Sequence, residues 1–203
     1  MANRVLALAL LAFTMSLLPA SAQPLTQPER DSLIKHLEQT RQAFVTSISG
    51  LTEAQWTFKA GPDRWSIAEV AEHVAISETT IRQLVTDQIM KGPVAPKNPT
   101  PVTDDALLAG LLDRTSKFQA PEMLKPTHRW ATREALLKDF QDARDKTVAY
   151  VKGTADDLHG HAGPHPVFKV LDGYQWILLL SGHAARHTAQ IDEVKAVAAY
   201  PAK

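Results

Sequence analysis

The chain contains no cysteine. That excludes a disulfide framework, thiolate metal ligands and a thiol nucleophile. An excess of either charge is missing too. Lys and Arg total 22 against 22 Asp and Glu, and no basic stripe with interleaved aromatics occurs, so a grip on nucleic-acid backbones is not expected. Period-2 alternation is weak throughout, so no strand is expected. The apolar run at the start, Val5 to Leu18, is about 14 residues, short of the roughly 20 needed to span hydrocarbon.

That opening run has a different meaning. Arg4 is the only charge before residue 29, Pro19 ends the run, and Ala20-Ser21-Ala22 has the small-x-small form of a signal-peptidase site. Cleavage after Ala22 is expected, with a periplasmic or secreted product and no membrane anchor after cleavage. Residues 1–22 are then the signal peptide and 23–203 one domain. The mature chain has 203 − 22 = 181 residues, enough for one domain with a sizeable core. Losing Arg4 leaves 21 basic against 22 acidic residues, a net charge of −1.

Four long helices are announced by their caps and stripes. Thr26-Gln27-Pro28-Glu29 is a capping box, followed by Leu33, Leu37, Phe44 and Ile48 up to Gly50. Ser66-Ile67-Ala68-Glu69 is another, leading Val70, Val74, Ile81, Leu84 and Val85 to Gly92. Thr132 caps a third helix through Leu136, Phe140, Val148 and Val151 to Gly153. Asp172 opens a fourth, running to about Tyr200. This reads as an all-α four-helix bundle. The roughly 40 residues from Gly92 to Ala131 are rich in Pro (93, 96, 99, 101, 121 and 126), with room for a short helix over 104–118. Such a crossover can traverse the bundle and set the second and third helices parallel.

His183 and His187 lie four residues apart on the last helix, a spacing that stacks two side chains on one face about 6 Å apart. Two imidazoles so placed can share one metal ion. The H-E-x-x-H motif of metalloproteases uses this spacing with Glu as base, but Ala184 stands in the Glu position here, so a peptidase of that type is not expected. His73, one position from the Val70/Val74 stripe, can turn toward the bundle axis and supply a third ligand. Three neutral imidazoles with an open position suit Zn²⁺, Ni²⁺ or Fe²⁺. The competing reading is three unrelated histidines, half-buried or on the surface.

The segments Trp65-Ser66-Ile67-Ala68-Glu69-Val70-Ala71-Glu72-His73-Val74, Gly173-Tyr174-Gln175-Trp176 and His183-Ala184-Ala185-Arg186-His187-Thr188-Ala189-Gln190-Ile191 together resemble the DinB-like superfamily. The resemblance spans most of the mature chain. It implies an up-down-down-up four-helix bundle whose divalent metal is held by His73, His183 and His187, with no departure at those positions. It also implies either no known reaction or a thiol-transfer or isomerase chemistry that uses low-molecular-weight thiols. Those thiols belong to the cytoplasm, so an exported relative is expected to act on water at least as readily as on a thiol.

Other residues carry weaker signals. Glu69 is a capping partner of Ser66 before it is a base. Gln190 shares the face of the histidine pair and can orient a ligand or join helices. His165, in the Gly- and Pro-rich turn before the last helix, can stand at the mouth of the site; His159 and His161 beside it read as exposed. Arg186 reads as a surface ion-pair former, and Trp56, Trp65, Trp130 and Trp176 as pins for helix ends. Two functions remain open: a metal-dependent hydrolase or transferase acting on a small molecule, and a non-catalytic bundle binding metal or a partner. A homodimer is kept as an alternative to the monomer. A fourth protein ligand, Glu69 or His165, would favour the non-catalytic reading.

Overall fold

The computed structural model describes residues 23–95 and 102–203. The expected signal segment and Pro96, Pro99 and Pro101 of the crossover lie outside them. Six α-helices and one hairpin follow in order: α1 (Gln27–Ile48), α2 (Glu53–Thr57), α3 (Ile67–Leu84), α4 (Asp104–Leu112), α5 (Arg133–Gly153), β1 (Ala162–His165), β2 (Lys169–Asp172) and α6 (Gly173–Lys195). A π-helical turn, Val85–Ile89, extends α3, and a 3₁₀ turn, Glu122–Leu124, lies in the crossover.

The expected caps start the long helices. Thr26 and Ser66 form reciprocal capping boxes with Glu29 and Glu69, while Thr132 and Asp172 accept the backbone N–H of Ala135 and Gln175. Thr52 caps the unexpected short α2 in the same way, with Gln55.

Two apolar clusters fix the helix directions. Leu33 of α1, Ile81 of α3, Val151 of α5 and Ile177 of α6 belong to one. Phe44 of α1, Val70 of α3, Phe140 of α5 and Ile191 of α6 belong to the other. Helices α1 and α6 therefore run from the first cluster to the second, and α3 and α5 run back. This is the up-down-down-up order, with α3 and α5 parallel. Helix α1 packs on α5 and α6, and α3 packs on the same two. Side chains pin the ends accordingly: Arg30 at the start of α1 donates to the Val151 and Thr154 carbonyls at the end of α5, and Lys195 at the end of α6 donates to Ser47 O near the end of α1.

Between the clusters lies a buried polar layer. Arg144 of α5 is fully buried and donates through Nε and Nη2 to both carboxylate oxygens of Glu78 on α3, at 2.7 and 2.8 Å. Its Nη1 reaches Leu37 O and Thr40 Oγ1 of α1. One guanidinium thus sets the relative register of three helices.

Three expectations are corrected. The short crossover helix ends at Leu112, not near Phe118, and α6 ends at Lys195. A strand pair exists: β1 and β2 are antiparallel, with Gly163 opposite Leu171. Its strands are four residues each and contain Gly163 and Pro164, too short and irregular to show alternation. Among the described residues no helix is long and apolar enough to cross a membrane.

Candidate metal centre

His73 lies two turns into α3, where the Ser66 cap and the inward Val70 and Val74 direct it to the bundle axis. His183 and His187 project from the middle of α6 toward it. Helix α4 packs across α6 here, and Gly182 permits the close approach: a Cβ there would meet Leu111 Cδ1 at 2.6 Å. The three rings converge. One ligand atom from each lies within 4.8 Å of the others, and ring centroids are 4.4 to 4.9 Å apart. His73 Nε2 and His183 Nε2 are 3.0 Å apart, close to the roughly 3.3 Å expected of two nitrogens on one tetrahedral ion with bonds of 2.0–2.1 Å.

The tautomers are set by what the other ring nitrogens touch. His73 Nδ1 is 2.8 Å from Leu124 O, a carbonyl that can only accept, so Nδ1 carries the proton and Nε2 is free to ligate. His187 Nδ1 is 2.8 Å from Gln190 Oε1, which aims its Nε2 in the same way. Gln190 is therefore the residue that orients His187. Burial lowers the proton affinity of His73, and that of His187 and His183 falls well below the usual imidazole range through burial and mutual repulsion. Neutral imidazole is the form that binds metal.

The other candidates lie elsewhere. Glu69 binds Lys59 at 2.8 Å and the Ser66 N–H, so it is a cap and not a ligand. His165 packs on Phe168 and Trp176, and its Nδ1 accepts the Val167 and Phe168 N–H groups. Among the described residues the cluster holds three imidazoles and no carboxylate, so no fourth protein ligand closes it.

Arg186 is a correction. It is 7 % exposed and donates to the carbonyls of Leu111, Asp113 and Ser116. Its role is to tie the end of α4 and the following segment onto α6, beside the triad. His159 is exposed as expected, stacking on Tyr174 between Asp172 and Glu29, whereas His161, also expected to be exposed, is half-buried.

Glu72 was not a sequence candidate, yet it builds the roof of the site. Buried at 4 % exposure, it accepts the backbone N–H groups of Thr127, His128 and Arg129. With the His73–Leu124 bond one residue on, it pins the crossover over α3. It also holds His128 at φ 60, a backbone conformation a non-glycine residue seldom adopts. Trp65 covers His73 from another side, ring to ring at 5.1 Å. Glu72→Ala should cost about 1–3 kcal/mol from the orphaned N–H groups and expose the Thr127, His128 and Arg129 amides to hydrogen exchange. Unchanged protection would contradict this role.

A pH dependence follows from the imidazoles. Unfolded histidines ionise near 6.5, whereas His73, His183 and His187 ionise lower in the fold, and burial takes His165 down to about 4. Below pH 6.5 the unfolded chain binds protons that the folded chain refuses, so stability is full above 6.5 and falls as the pH drops. His159 is raised by Asp172 and opposes the trend, but it is half-exposed and counts for less. The urea midpoint of metal-free protein should therefore fall from pH 7 to pH 5, above the range where carboxylates protonate. A flat profile would show that the triad is not buried neutral.

Comparison with known proteins agrees with this fold. Residues 36–191 match the family model of the DinB superfamily. The chain is 26% identical over 148 residues to the uncharacterized protein YuaE of Bacillus subtilis (strain 168), covering 73% of this chain and 88% of that protein. In fold it is similar to YfiT from Bacillus subtilis, described as a probable metal-dependent hydrolase with an unusual four-helix bundle topology. That likeness has a TM-score of 0.53 at 16% identity, over 85% of this chain and 89% of the other. The family model spans most of the bundle and includes all three converging histidines: the chain belongs to the DinB superfamily.

Proposed function

We propose that this protein is an exported metal-dependent hydrolase in which His73, His183 and His187 hold one divalent ion, Zn²⁺, Ni²⁺ or Fe²⁺. The observation that carries the reading is the convergence of three neutral imidazoles with, among the described residues, no fourth protein ligand. Structural zinc sites are closed by four protein ligands, whereas catalytic ones keep a position for water or substrate. A divalent ion in this setting supplies Lewis acidity that lowers the pKa of water and polarises a carbonyl.

The chain's own residues do the rest. Leu124 O and Gln190 hold the rings of His73 and His187 in the ligating tautomer. The crossover held by Glu72, with Trp65, screens one side of the triad. Export is supported by Arg4, the Val5–Leu18 run and Ala20-Ser21-Ala22, and it favours water over cytoplasmic thiols as the nucleophile.

The test is a panel of nitrophenyl esters offered to zinc-loaded protein, with His183→Ala as the control. At least one ester should be hydrolysed only by the loaded wild type, with loss on chelation and return on adding zinc. Equal rates for wild type and variant across the panel would make the ion a structural staple and withdraw the enzyme.

A further inference from the structure

Glu193 lies on α6 six residues beyond His187, and cations from two separate segments converge on it. Arg114, just after α4, donates from Nε and Nη2 to its two oxygens, each at 2.9 Å. Arg64 Nη2 lies 3.7 Å away and Lys117 Nζ 3.8 Å. Arg186, next to His187, adds a fourth positive charge but commits its donors to backbone carbonyls. Against these four stand the carboxylates of Glu193 and Asp113, the latter tied to Thr115. Two positive charges are in surplus.

The surplus adjoins the triad. Arg64 precedes Trp65, whose ring packs on His73, and Arg114 belongs to the segment that Arg186 fastens beside His187. A purely structural network is the competing account, but Arg64 and Lys117 sit beyond hydrogen-bonding distance and are 49% and 59% exposed. Pairs of that kind contribute little to stability and exchange readily. Both cations are free to turn from Glu193 to a ligand.

We propose that this rim selects the substrate: an anionic molecule whose carboxylate or phosphate docks on Arg64, Lys117 and Nη1 of Arg114, the guanidinium nitrogen not bonded to Glu193, while its scissile bond reaches the triad. The proposal rests on the hydrolase reading for the second half only. Six residues of helix rise about 9 Å, so the anionic group lies several bonds from the bond that is cleaved. Compounds with the charge next to the scissile bond do not bridge the two sites.

The test uses ligand binding to the full mature chain, with and without zinc, read by tryptophan fluorescence. Hexanoate and hexyl phosphate are compared with uncharged hexanamide, the first two separating carboxylate from phosphate. Both anions, or one of them, should bind more tightly than hexanamide, and added salt should weaken them. Arg114→Gln should weaken the anion about tenfold, as expected for a lost charged hydrogen bond, and exposed Lys117→Gln should weaken it less. Glu193→Gln should tighten it, because the cations lose their internal partner. A structural network predicts the opposite sign for Glu193→Gln. Anion binding unchanged in Arg114→Gln and Lys117→Gln, or weakened in Glu193→Gln, overturns the proposal. Should zinc fail to bind, the hydrolase reading falls while the metal-free arm still reports on the rim.

Discussion

His187→Ala protein is expected to bind no stoichiometric zinc and to be insensitive to added metal on heating. The variant keeps His73 and His183, whose Nε2 atoms face each other at 3.0 Å, but two imidazoles hold a divalent ion far less tightly than three. An ion that binds only the folded chain stabilises it by mass action, about 2.7 kcal/mol at a hundredfold excess over Kd. For a domain of this size that corresponds to roughly 5–10 °C in Tm. Wild type should show that rise and His187→Ala almost none. Gln190→Ala should fall between them, since His187 keeps its ring but loses the acceptor that aims it. Zinc binding at full stoichiometry by His187→Ala would show that the ligands are misassigned.

Arg144→Ala should be the most damaging single change to the fold. Glu78 has 2% of its side chain exposed, and removing its bidentate partner leaves a buried carboxylate that, among the described residues, keeps the Thr147 hydroxyl as its side-chain donor. Breaking such a pair costs about 3–5 kcal/mol, against a total stability of about 5–15 kcal/mol for a domain. The paired change Glu78→Leu with Arg144→Met should recover much of the loss, because apolar side chains of similar volume avoid the stranded charge. Urea midpoints of the three variants check both statements. A loss below 1 kcal/mol in Arg144→Ala would mean that water reaches Glu78 and the polar layer is not sealed.

The parts of this molecule that local chemistry specifies were legible before the fold was known. Capping boxes at Thr26 and Ser66 placed two helix starts, and the length of the Pro-rich crossover implied parallel α3 and α5. The four-residue spacing of His183 and His187 put two rings on one face, while the direction of His73 needed the resemblance as well as the Val70/Val74 stripe. What escaped depends on contacts between distant residues. Glu78 and Arg144 do occupy inward positions, four residues from Val74 and from Phe140 and Val148, so a charge on each apolar stripe is the signal the sequence carries of this pair. Glu72 gave no such signal, because its partners are backbone N–H groups 55 to 57 residues away. Arg186 looked like a surface residue because nothing local shows that α4 would lie across it. The hairpin around His165 was hidden by strands of four residues.

X-ray absorption at the metal edge, on protein purified without a nickel column and loaded with one equivalent of zinc, tests the central claim most directly. The account predicts three imidazole nitrogens at about 2.0–2.1 Å and one or two oxygen scatterers from solvent. His73→Ala should remove one imidazole from that shell. A shell with fewer than three imidazoles, or one completed by a protein carboxylate, would contradict it.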